Sequence, residues 1–152
     1  MWRVRIRHWF AALLVALVIA PPAIAAGPYA YKLKITPEEG PVDLAVEGRK
    51  SLEYGTCAQG AMTTLDSTDC LMDELQRQDT MLNLVWGHKY RHIAPANKPA
   101  LLAAQRKWVA ARDPFCRKQS DAYKGGTIAP IIFVACKMDL TIRRTMWLEK
   151  LK

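Results

Sequence analysis

Residues 63–93 read TTLDSTDCLMDELQRQDTMLNLVWGHKYRHI. Leu71, Leu75, Leu82, Val85, Trp86 and Ile93 recur at helical spacing, so the stretch predicts one long amphipathic helix. Thr63 followed three residues later by Asp66 is the pattern of a capping box and sets the start near Thr63 or Thr64. Asp66, Asp69, Asp73 and Glu74 fall in the first turns, where carboxylates meet the positive end of the helix dipole. Pro95 and Pro99 bracket the stop.

Working outward, a second helix is expected from about Lys98, with Pro99 tolerated in its first turn. Leu101, Leu102, Gln105, Trp108, Val109, Arg112, Phe115 and Cys116 line one side. Pro114 cannot donate to Ala110 and disfavours helix at Asp113, so a kink or an early end is expected there. Gly125-Gly126 marks a turn. A third helix is expected from about Pro130 to Leu151, with Ile131, Val134, Ala135, Met138, Ile142, Thr145 and Met146 as its apolar stripe and Arg143 and Arg144 toward its negative end. Short connections favour an all-α, antiparallel three-helix bundle. Each helix carries one tryptophan (Trp86, Trp108, Trp147), read as core.

Residues 1–25 have the pattern of a secretory signal peptide. Arg3, Arg5 and Arg7 precede a twelve-residue apolar run from Trp9 to Ala20, and Ala23-Ile24-Ala25 offers a cleavage site. The run is short of the roughly 20 residues a spanning helix needs, so no stable membrane anchor is expected after cleavage, and a periplasmic or secreted location follows. Residues 26–56 form an N-terminal arm ahead of a helical domain at 57–152. Tyr29, Tyr31, Leu33 and Ile35 alternate with other residues, as do Val42, Leu44 and Val46, around the turn-rich Thr36–Pro41. A short β-hairpin or an extended arm is expected.

The 152-residue chain carries a formal charge of +8 and is 51% hydrophobic, enough for a core and too small for a large two-domain enzyme. The charge is polarised: residues 64–79 sum to −4 and residues 80–152 to +10. Export argues against nucleic acid as the partner of the basic half. An anionic cell-envelope polymer or lipid suits it better. Cys57, Cys70, Cys116 and Cys136 form an even set expected to make two disulfides. Cys57–Cys70 and Cys116–Cys136 are favoured because each closes a short local loop. Cys70–Cys116 and Cys70–Cys136 stay open, since three of the cysteines fall near one end of the expected bundle.

Catalytic signatures are absent: no G-x-S-x-G, H-E-x-x-H or phosphate-binding loop occurs. His88 and His92 are four apart but lack a third ligand at helical spacing, which leaves a solvated face as the default. Asp73 and Glu74, being adjacent on a helix, diverge by about 100° and would not flank one glycosidic bond. Neither an enzyme nor a metal or cofactor protein is expected.

Read together, the first two helices carry a joint pattern. Asp79-x-x-Leu82-Asn83-x-x-Trp86 is followed by Ala104-Gln105-Arg106-Lys107-Trp108, then Arg112-Asp113-x-x-Cys116, Gly125-Gly126, Cys136 and Leu140-Thr141-x-x-Arg144. This resembles the lysozyme inhibitor LprI-like family of small exported bacterial domains, over about residues 57–148. Trp86 stands where that family usually has tyrosine, Pro114 follows the Arg-Asp pair, and the lipid-attachment cysteine of the family's namesake is missing. The resemblance implies an all-helical domain and inhibition of a lysozyme outside the cytoplasm. Asp79, Leu82, Asn83, Gln105, Arg106, Trp108, Arg112 and Asp113 read as structural motif residues, with Asp79 the expected carboxylate partner of an inward-facing Arg112. Animal-type lysozymes are strongly basic, so an inhibitor needs a local negative face. Glu38 and Glu39 in the arm's turn, and Asp66, Asp69 and Asp73 at the helix start, are the candidates.

Overall fold

The computed structural model describes residues 43–152, and these are helical without any strand. The expected signal peptide at 1–25 and the arm as far as residue 42 lie outside the described residues. Five α-helices follow in order: α1 (Leu44–Glu47), α2 (Leu52–Gly60), α3 (Thr64–His92), α4 (Lys98–Asp121) and α5 (Ala129–Lys150). A single 3-10 turn, Pro95–Asn97, joins α3 to α4.

The start of α3 follows from its residues. The Thr63 hydroxyl accepts from the Asp66 amide at 3.1 Å, and the Asp66 carboxylate accepts from the Thr63 amide at 3.0 Å, closing the expected capping box. Two departures from expectation concern the arm and Pro114. Val42, Leu44 and Val46 alternate like a strand, yet residues 44–47 are helical. The Asp43 side chain caps that turn by accepting from the Ala45 amide, and Val46 is buried against Leu71, Val134, Met138 and Ile142. So short an alternation does not fix a strand, and a cap with a buried contact favours the helical turn. Ser51 likewise caps α2 by accepting from the Tyr54 amide.

Nor does α4 end early, since it runs through Pro114 to Asp121. The proline faces solvent next to an exposed Ala110, where water can satisfy the carbonyl it leaves without a donor. Arg112 and Asp113 on one side and the Cys116–Cys136 disulfide on the other tie this stretch to α3 and α5. After α4, Gly125 adopts φ +87°, a left-handed conformation that favours glycine, and the chain reverses into α5.

α5 packs against both α3 and α4. It runs alongside α3 in the same direction: Leu71 near the start of α3 meets Val134 and Met138 near the start of α5, while Lys89 near the end of α3 donates to the Leu151 carbonyl at 2.7 Å. One apolar cluster joins Leu82, Leu101, Trp108 and Leu148, with Trp86 and Trp147 packed on it. The other joins Val46, Leu71, Val134, Met138 and Ile142. Polar side chains from α3, α4 and α5 lie between the two.

Candidate functional site

Of the motif residues, Asp79, Gln105, Arg112 and Asp113 meet in that polar layer. The Arg112 guanidinium donates to the Asp79 carboxylate at 2.7 Å and to the Thr141 hydroxyl at 3.0 Å, joining α4 to α3 and α5. Its Nε donates to Asp113 at 3.0 Å, and Asp113 is also paired with Lys137 of α5 at 3.1 Å. Burial alone would raise the Asp113 carboxyl, but hydrogen bonds from Lys137 and Arg112 outweigh it and hold that carboxyl below the usual range. The Arg112 side chain is only 14% exposed and lies 5.4 Å from the Trp108 ring centroid. Leu82 and Trp108 are buried, Asn83 is exposed, and Gln105 is half-buried.

Gln105 serves the residue that closes the joint sequence pattern, Arg144, for which the sequence offered only a place toward the negative end of its helix. Its carbonyl oxygen accepts from Arg144 Nε at 2.8 Å. Arg144 is wholly buried, with its guanidinium 4.0 Å from the Trp147 ring centroid and 5.7 Å from that of Trp108. Two indole faces receiving one guanidinium is a cation–π arrangement suited to a desolvated site. The neighbouring Arg143 is exposed and paired with Asp43 at 2.6 Å.

A second buried ion lies nearer α2. Glu74 is wholly buried and accepts from the Ser51 amide at 3.0 Å, the Ser51 hydroxyl at 2.6 Å, Gln78 at 2.7 Å and Arg77 at 2.9 Å. Burial pushes its carboxyl up, but these donors outweigh the effect and hold it below the usual glutamate range. Gln78 also donates to the Arg49 carbonyl at 2.8 Å, so one α3 turn holds the segment between α1 and α2. A groove of about 460 Å³ opens beside this cluster, with Ile142 and Met81 among its apolar lining and Arg49 and Arg77 among its polar lining.

Of the acidic candidates, Glu38 and Glu39 lie outside the described residues. Asp66, Asp69 and Asp73 are exposed on the N-terminal half of α3. Asp66 is occupied by the cap: hydrogen bonding within it, with the Thr63 hydroxyl foremost, lowers its carboxyl. Asp69 and Asp73 make no hydrogen bond or ion pair among the described residues. Leu65, 68% exposed, and Met72, 54% exposed, share their helix face, and exposed Glu53 lies on the adjoining α2. α3 thus presents carboxylates and apolar side chains together.

The cysteines are joined as Cys57–Cys70 and Cys116–Cys136, with Cα separations of 5.7 and 5.6 Å. The first links α2 to α3, and the second links α4 to α5. His88 and His92 stack at 4.3 Å on the exposed end of α3. No group of three or more metal-ligating side chains occurs among the described residues. Nor is any helix among the described residues long and apolar enough to cross a membrane.

No curated protein and no solved structure matches the chain. The profile of a protein family does match, over residues 56–148: lysozyme inhibitor LprI. That span takes in both disulfides, the Asp79–Arg112–Thr141 junction and the buried Arg144, and the chain accordingly belongs to the LprI lysozyme inhibitor family.

Proposed function

We propose that this protein is an exported, non-enzymatic inhibitor that binds a lysozyme in the periplasm or outside the cell, after removal of residues 1–25. The family match over residues 56–148 carries the reading. Two disulfides agree with an oxidising compartment. The motif residues Asp79, Gln105, Trp108, Arg112 and Asp113 act as scaffold, being engaged with one another or with α5. The partner-facing surface is the exposed start of α3, where Asp69 and Asp73 stand beside Leu65 and Met72. Exposed carboxylates steer a basic partner, and apolar side chains among them supply the area that excludes water. Asp66 belongs to this face but is held by its cap. Glu38 and Glu39 remain a second acidic element of the same proposal.

The test is lysis of a bacterial cell-wall suspension by animal-type lysozyme, with and without the oxidised protein. Dose-dependent inhibition that persists at physiological salt is expected. Asp69→Asn with Asp73→Asn should weaken inhibition most at low ionic strength, through a slower association rate. An unchanged dose response in that variant removes this face from the interface. No inhibition at large molar excess overturns the proposed activity for this class of lysozyme.

A further inference from the structure

The basic half of the chain concentrates cations on the solvent side of α4. Arg106 and Lys107 form one doublet, Arg117 and Lys118 another, and the corresponding members are eleven residues apart. Eleven residues make three helical turns to within about 20°, so the doublets lie on one face, about 16 Å apart along the axis. All four residues are exposed. Ion pairs among the described residues engage Arg49, Lys50, Arg77, Arg112, Lys137 and Arg143, and none of these four. Arg117 lies 5.4 Å from the Phe133 ring centroid, a contact that leaves its charge uncompensated.

What separates the doublets matters as much. Ala110 and Pro114 sit between them, exposed and short, and Val109 beside them is 53% exposed. The nearby Asp113 carboxylate is turned to Arg112 and Lys137. Asp121 is the one acidic residue on the exposed end of the helix, and Lys124 follows it in the turn. Within the Gln105–Trp108 stretch, Gln105 bonds Arg144 and Trp108 is core, whereas Arg106 makes no hydrogen bond or ion pair among the described residues. Folding therefore gives no reason for its charge.

We propose that this face of α4 docks the protein on an anionic phospholipid bilayer. A continuous helix with two cation doublets and short side chains between them presents an array that several headgroups can meet at once. The attraction is electrostatic and reversible, without insertion. It is independent of the lysozyme reading, because it uses α4 and is read by a different assay.

The test is co-sedimentation of the oxidised protein, recovered from an exporting host, with vesicles of phosphatidylglycerol and phosphatidylcholine against vesicles of phosphatidylcholine alone. Binding to the mixed vesicles only, falling steeply as salt rises, is expected. Changing Arg106, Lys107, Arg117 and Lys118 together to Gln should reduce affinity by roughly fivefold per cation, on the order of several hundredfold in all. A control changes Arg91, Lys98, Lys150 and Lys152 to Gln, which removes the same charge elsewhere, and should retain most of the binding. Circular dichroism and the melting temperature check that both variants stay folded. Equal loss in the two variants overturns the proposal in favour of net charge alone. No vesicle binding by the unaltered protein overturns it outright, and retention on a soluble polyanion such as heparin would then move the same face to a polymer partner.

Discussion

Arg112 on α4 meets Asp79 on α3 across 2.7 Å, and the same guanidinium nitrogen reaches Thr141 on α5. One side chain thus links all three long helices between the two apolar clusters. Arg112→Ala should destabilise the fold by about 1–3 kcal/mol, since it strands a partly buried carboxylate and removes a face of contact with Trp108. The Asp79 side chain is 39% exposed, which lets water offset part of the loss and keeps the cost below that of a fully buried pair. Arg112→Lys keeps the charge but not the fork that holds Asp79, Asp113 and Thr141 together, and should recover only part of the loss. Urea unfolding measures both. An Arg112→Ala protein that unfolds at the wild-type midpoint would show that the junction contributes nothing.

Glu74 makes stability fall in acid. Its folded carboxyl lies below the usual glutamate value, so the stabilisation is complete above the unfolded pKa and is lost as pH falls through the folded one. Glu74→Gln turns an amide donor toward Ser51, Gln78 and Arg77, and should cost about 1–3 kcal/mol at neutral pH. It should also flatten the decline of unfolding free energy below about pH 4. Urea midpoints measured across the acid range for both proteins check the slope, and parallel curves would exclude Glu74 as a source of the acid sensitivity.

The two disulfides close loops of similar length, with sequence separations of 13 and 20, so chain entropy assigns each about 3 kcal/mol. Their surroundings differ. Cys57 is exposed on α2, a helix without buried residues, whereas Cys116 is wholly buried between α4 and α5. Mild reductant should open Cys57–Cys70 first and release α2 while most of the helical signal persists. Cys116→Ser with Cys136→Ser should lower the unfolding midpoint of the whole domain. Mass-spectrometric thiol labelling during stepwise reduction gives the order, and simultaneous labelling of all four cysteines would contradict it.

Asp139 on α5 has its carboxyl raised by burial, which outweighs the attraction of Lys50 and Arg143, while Glu47 and Asp43 push the same way as burial. A carboxyl with a raised folded value favours folding when protonated, and that advantage disappears as pH rises through the folded value. At neutral pH Asp139→Asn should therefore raise the melting temperature by a few degrees, and the gain should shrink toward acid. Scanning calorimetry at neutral and acidic pH checks both signs.

Helix placement was legible because its causes are local. The Thr63–Asp66 capping box and the spacing from Leu71 to Ile93 mark α3 within its own residues, and the Ile131–Met146 stripe does the same for α5. Asp79 as the partner of Arg112 was also within reach, since both occupy inward helix positions and a buried guanidinium demands a carboxylate. Pro114 misled for the opposite reason. The proline's local penalty is real, but it is offset by contacts with α3 and α5 on either side. The alternation of Val42, Leu44 and Val46 was too short to separate strand from helix, and the Asp43 cap with the burial of Val46 settled residues 44–47 as a turn of helix.

Sequence periodicity accounts for the long helices, their order and the inward placement of the three tryptophans. Loop length favoured the two cysteine pairs. The fate of individual charges depended on the folded arrangement. Arg143 and Arg144 are neighbours in the chain, yet one is exposed beside Asp43 and the other is sealed between Trp108 and Trp147. Asp73 and Glu74 divide in the same way, one facing water and the other wholly buried under Ser51. Helical periodicity turns adjacent side chains about 100° apart, but whether each meets solvent or a partner depends on the helices packed across from it, which lie far away in the chain.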